Sequence, residues 1–312
     1  MMCSSMSWVN KMLNLVALFK RNIKIYLRDK TAVFFSFLSV IILLTLYLLF
    51  IAENMKPTEL DGILTDKELT FLVYSQLIPG LIVINSVSIP LGNLGNIIND
   101  FEYKQIDGFL VTPIERPKII LSYYLSSFVI SSFINILIVI ASLGIITLST
   151  GIGYSLQVWF TAIFYTFFFA FISTAFMVFL TSLIKSVNAF GAVSGVFGSL
   201  IGFASGIYLP LSILPKWIQS FSSIIPFTHM TILLRRAMLP KGLNIITEKL
   251  TGNMPESEMT ELNTALKEVY GYNEIGIFGL DIPIFWVMII SVIVSVGLLW
   301  LATYLLNKRI KN

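Results

Sequence analysis

Runs of twenty or more apolar residues, unbroken by any ionisable side chain, constrain this chain more than any other feature of it. They occupy residues 32–51, 71–98, 119–148, 156–184, 190–214 and 282–306, and no Asp, Glu, Lys, Arg or His falls inside them. About 20 apolar residues in a helix cross about 30 Å of hydrocarbon. Charged residues make up 12% of the chain, against about 25% in an average soluble domain, so polar surface is too scarce to coat a globule in water. The pattern predicts an all-α, polytopic membrane protein with six transmembrane helices. Pro and Gly interrupt the second and fifth runs, whereas the third and fourth exceed the length needed to cross.

Lys and Arg divide the intervening segments into two sets. Residues 1–31, 99–118, Lys185 and the tail after the sixth run hold 13 Lys/Arg against 5 Asp/Glu. The remaining segments hold 8 against 12. Basic loops stay on the cytoplasmic side, so both termini are expected inside. Trp159, Trp217, Trp286 and Trp300 fall near run ends, where interfacial indoles belong. No small-residue cleavage site follows the first run, which reads as a retained helix. Before it, Leu13, Val16, Ala17 and Ile23 recur at helical spacing among Lys20, Arg21 and Lys24. Residues 1–31 therefore read either as an amphipathic helix in the cytoplasmic interface or as a plain basic orientation signal.

Several chemistries are disfavoured by what the runs lack. Ion-coupled carriers place ionisable groups within the membrane, and these runs have none, although carbonyls and hydroxyls can still hold sodium. HExxH, GxSxG and paired intramembrane aspartates are missing, as is GxxxxGK[ST], so the chain carries no P-loop of its own. Cys3, the lone cysteine, excludes an internal disulfide, and with His229 as the lone histidine no metal site is expected.

The loop at 99–118 carries the most specific pattern. Phe101, Gln105, Gly108 and Phe109 share a helical face, beside Asp100, Glu102, Lys104 and Asp107. Thr112-Pro113 and Arg116-Pro117 then break the helix before the third run. A short charged helix of this kind suits docking into a groove on a soluble partner, and equally suits an amphipathic linker. The segment resembles the coupling loop of type-2 ABC exporter permeases, in which an acidic helix precedes a Thr-Pro-Ile/Val-x-Arg stretch, here Thr112-Pro113-Ile114-Glu115-Arg116. Tyr26-Leu27-Arg28-Asp29-Lys30 resembles that family's N-terminal interface helix. The stretch from Leu209 to Trp217, and Pro226-Phe227-Thr228 with Arg235, resemble its segments after the fifth span. Lys104-Gln105 stands where the family usually has Gly-Thr, and the polar segment up to residue 281 is longer than the family minimum.

The resemblance implies a cytoplasmic interface helix over 1–31 and a six-span domain over 32–312, with an outer re-entrant and polar segment at 210–281. It implies ATPase coupling through Asp100, Glu102, Lys104, Asp107, Thr112, Pro113 and Arg116, with Arg28 and Asp29 on the interface helix. Asn85 on the second span and Gly191, Gly195, Gly198, Gly202 and Gly206 on the fifth would line a path or pack two chains together. The expected partners are an ABC ATPase, a second permease chain and the lipid bilayer, with no nucleic acid. No cofactor is expected in the chain itself; ATP and Mg would sit in the ATPase. The implied activity is export of an amphipathic drug, lipid-linked molecule or peptide across a bacterial cell membrane. A non-transporting membrane scaffold or sensor, or a sodium-coupled carrier, are the alternatives. A helix over 255–270 is expected from acidic residues at its start and Lys267 near its end.

Overall fold

A computed structural model describes residues 2–46, 49–50, 54–56, 60, 62–112, 114–204, 215–250, 256–271 and 283–311. They are helical nearly throughout, with no β-strand among the described residues. Four helices are long and apolar enough to span a membrane: α3 (Asp66–Glu102), α5 (Arg116–Thr150), α6 (Leu156–Leu183) and the Ile284–Arg309 part of α12 (Ile284–Lys311). The expected first and fifth spans overlap α2 (Lys30–Leu46) and α7 (Val187–Ala204). Residues 47–48, 51 and 205–214 of those spans lie outside the described residues.

The bundle is built around α3. Its apolar window is 89% buried, whereas that of α12 is 11% buried, so α3 is the axis and α12 the flank. Thr65 and Glu68 open α3 with a capping box, the Thr65 N–H donating to Glu68 Oε2 at 2.7 Å. The interruption expected at Pro79 and Pro90 does not occur; both lie inside one continuous helix. An interior proline costs about 3 kcal/mol, which packing on every side of α3 by α5, α6, α7 and α9 (Pro226–Met238) outweighs. At 37 residues α3 is about 55 Å long, so its ends stand clear of a 30 Å hydrocarbon layer. Gly151, at φ 75°, closes α5 in the left-handed conformation and turns the chain into α6.

Two short helices, α8 (Lys216–Ile224) and α9, follow the fifth run, and α9 folds back onto α3 and α6. His229 and Arg235 belong to the segment expected on the outer side of the membrane, and both are buried in α9, Arg235 being 3% exposed. Burial is tolerated because polar partners come with it. His229 Nε2 meets the Ser223 carbonyl at 2.8 Å, and Arg235 Nε donates to the Gln76 carbonyl at 3.3 Å. Next, α10 (Pro240–Leu250) and α11 (Glu256–Val269) close a small second core of Leu64, Leu69, Leu72, Leu239, Leu243, Ile246 and Tyr270. Here α11 matches the helix expected at 255–270. The crowded aromatics of α6 are shared between packing and surface: Phe169 is buried, Phe164 is exposed, and Phe167 stacks edge-on against Phe128 at 4.9 Å.

The basic stretches 1–31, 99–118, Lys185 and 308–311 meet at one end of the bundle. Arg21 touches Asp100, and Arg309 touches Ile184 and Lys185. At the opposite end Lys249 pairs with Glu68 at 2.6 Å, and Lys241 donates to the Gly153 carbonyl. The two sets defined by charge are thus two physical ends of the molecule.

Candidate functional site

The last turn of α3 is the most heavily tied point at the basic end. Asp100, 4% exposed, receives both nitrogens of the Arg21 guanidinium, NH1 on Oδ2 at 2.6 Å and NH2 on Oδ1 at 3.0 Å. This two-point fork fixes direction as well as distance. Tyr123 of α5 donates its hydroxyl to Asp100 Oδ2, and Asn22 donates to Ser122 Oγ at 3.2 Å. Through these contacts α1 (Met2–Arg28) lies along α5 with its C-terminal third pinned to the end of α3. Burial alone would lower the Arg21 pKa, but the hydrogen bond to Asp100 and the neighbouring charges hold it above its ordinary value.

The next two residues bind two further helix ends. Glu102 accepts from the backbone N–H of Val187, the first residue of α7, where the helix dipole favours a carboxylate. Phe101 carries the Arg309 guanidinium of α12 over its ring at 4.5 Å. The same guanidinium donates to the Ile184 and Lys185 carbonyls, at 2.9 and 3.0 Å, just past the end of α6. Asp100, Phe101 and Glu102 therefore join α1, α5, α6, α7 and α12 at one point.

Beyond this junction the chain leaves α3 through a tight loop. Lys104 is left-handed at φ 56°, the Ile106 N–H returns to the Asp100 carbonyl at 3.1 Å, and a one-turn helix α4 (Asp107–Leu110) follows. Ile106 is buried, and Phe109 lies against Arg21, with 4.9 Å between guanidinium carbon and ring centre. The outer face is different in character. Tyr103 is 66% exposed and Val111 87%, with Lys104, Gln105, Asp107 and Thr112 exposed around them. A firmly anchored base thus presents two bare apolar side chains within a polar ring, the makeup of a contact patch for another macromolecule.

The expected residues separate accordingly. Asp100 is engaged inside the bundle end and Glu102, exposed, binds the start of α7 at its surface, while Lys104 and Asp107 lie on the exposed tip. Thr112 Oγ1 donates back to the Phe109 carbonyl at 2.6 Å, and Arg116 opens α5 away from the tip. Pro113 and Gly206 lie outside the described residues. Arg28 and Asp29 are exposed at the end of α1. Asn85 is buried and donates to the Leu81 carbonyl of its own helix at 3.0 Å. On α7, Gly191 and Gly195 are exposed, and a Cβ at either would meet open space, whereas Gly202 is buried; Gly198 falls within the helix. Against α7 it is Gly95 of α3 that permits close approach, since Phe190 of α7 lies 3.0 Å from where a Cβ would stand.

Tyr123, Tyr103 and Val111 were not singled out by sequence, and Arg21 and the basic tail holding Arg309 were read only as interface and orientation charges. One available signal was that the helical run of α3 continues past Ile98, which keeps Asp100 on a buried face and in need of a cation. Among the described residues no cluster of His, Cys, Asp or Glu is arranged to hold a metal. Comparison with known proteins returned no curated match. The family model described as ABC-2 type transporter matches residues 14–239.

Proposed function

Because this chain belongs to the ABC-2 type transporter family, its membrane domain is that of a multi-pass transporter permease, and we propose that a separate ATPase drives it as an exporter. The observation that carries this reading is the junction at Asp100, Phe101 and Glu102, directly beneath the exposed Tyr103–Thr112 tip. In this reading the ATPase pair grips the tip, and its closure moves the end of α3. The ties to α1, α7 and α12 pass that movement to the helices around the path. All six apolar runs span, both termini are cytoplasmic, and the basic end faces the ATPase. Two chains pair across the exposed faces of α2 and α7, where Phe34, Ile41, Val196 and the glycines at 191 and 195 present apolar and small surface. An apolar path of this kind suits an amphipathic drug, a lipid-linked molecule or a peptide.

Docking and transmission occupy different residues, so they separate by mutation. Val111→Asp and Asp107→Lys should release the ATPase from the complex. Glu102→Gln should keep the ATPase bound while removing the transport that its turnover drives. Full transport in all three variants, measured in vesicles loaded with ATP, would refute the assignment.

A further inference from the structure

A second feature of the basic end is unrelated to the loop tip. Between the start of α5 and the last turns of α12 lies a pocket of about 640 Å³, lined by Glu115, Arg116, Pro117, Tyr304, Asn307 and Lys308. Two of these residues carry buried polar atoms without a hydrogen-bond partner among the described residues, Arg116 NH1 and Asn307 Oδ1. An unmet guanidinium N–H is a donor in want of an acceptor, and leaving one buried and unpaired is costly. The charge balance favours an anion. Glu115 is already paired with Lys118 at 3.2 Å, which leaves Arg116 and Lys308 as the pocket's uncommitted charge. The first turn of α5 adds its positive end to the same place.

The pocket also sits at a defined depth. Trp300 and Tyr304 stack at 6.3 Å on the outward face of α12, 71% and 56% exposed, and Tyr304 itself lines the pocket. Exposed stacked aromatics followed within two turns by Lys308, Arg309 and Lys311 mark the boundary between hydrocarbon and headgroups. A pocket with a buried, unmet guanidinium N–H at that boundary, on a helix whose outer face is bare, is placed to meet lipid headgroups. We propose that it binds the phosphate of a glycerophospholipid from the adjoining leaflet. Arg116 and Lys308 would meet the phosphate oxygens, and the Asn307 oxygen would accept from a headgroup hydroxyl or ammonium.

The proposal holds whether or not the chain exports, and its test needs no ATPase. The full chain, taken from mixed phosphatidylcholine–phosphatidylglycerol vesicles, is examined by native mass spectrometry for retained lipid. Wild-type chain should retain phosphatidylglycerol about tenfold more tightly than Arg116→Gln and several-fold more tightly than Lys308→Gln. Lys308 is exposed, so its variant keeps the test decisive if Arg116→Gln does not fold. Equal retention by wild type and Lys308→Gln would overturn the site. Displacement of the lipid by inorganic phosphate would overturn its lipid character and assign the pocket to a soluble anion.

Discussion

Cutting the link between Arg21 and Asp100 should reveal how firmly α1 is held to the end of α3. The two side chains are unequally placed, Arg21 being 26% exposed and Asp100 5%. Removing one partner from a fully buried pair costs about 3–5 kcal/mol. Partial access of water to Arg21 reduces this, so Asp100→Leu should cost about 2 kcal/mol, the orphaned guanidinium rehydrating in part. Arg21→Leu should cost more, about 3 kcal/mol, because it strands a carboxylate that water cannot reach and leaves only the Tyr123 hydroxyl to meet it. The double variant removes both charges and should cost no more than Asp100→Leu alone, giving a coupling energy of about 3 kcal/mol. At roughly 2 °C per kcal/mol for a chain of this size, the single variants should lower the apparent melting temperature in detergent by about 4–6 °C. Singles that melt within about 1 °C of wild type, or a double variant whose loss equals the sum of the singles, would refute the reasoning.

Other outcomes follow from neighbouring contacts. Tyr123→Phe removes a donor to Asp100 while Arg21 stays, and should cost about 1 kcal/mol in the same melting assay. Gly271→Ala should be more damaging than an exposed glycine usually is: φ is 63° there, and the added carbon would stand 2.6 Å from Arg235 NH1. Trypsin should cut the α10–α11 region of that variant faster than wild type. Glu68→Gln breaks an exposed pair with Lys249 and should change stability by about 1 kcal/mol or less, the more so in high salt. Lys104→Gly places glycine at φ 56° and should leave melting unchanged or raise it slightly, since the left-handed penalty of about 1–2 kcal/mol is relieved.

Much of this architecture was legible because the bilayer narrows the choices. Uncharged runs marked the helices, and the imbalance of Lys and Arg separated two sets of segments that the structure gathers at opposite ends. Periodicity did not show that α3 would continue through Pro79 and Pro90, because the compensation lies in helices far away in sequence. The burial of His229 and Arg235 was hidden for a related reason. Charge argues for the surface unless a partner is visible, and theirs are carbonyls, which carry no signal in a sequence. At the loop, the family resemblance pointed to Asp100 and Glu102 as coupling groups. The structure engages them with Arg21 and with the start of α7, leaving Tyr103 and Val111 outermost. Lys104 is the informative departure: it stands where the resemblance puts a glycine, and its backbone is left-handed.

The central claim, that an ATPase grips this chain at the Tyr103–Thr112 tip and drives it, is tested most directly by co-purification from the native membrane after cross-linking in place. The account predicts a stoichiometric P-loop ATPase, cross-linked through the tip, whose turnover rises when the permease is present. Recovery of the chain without an ATPase, under conditions where two permease chains do cross-link to each other, would contradict it.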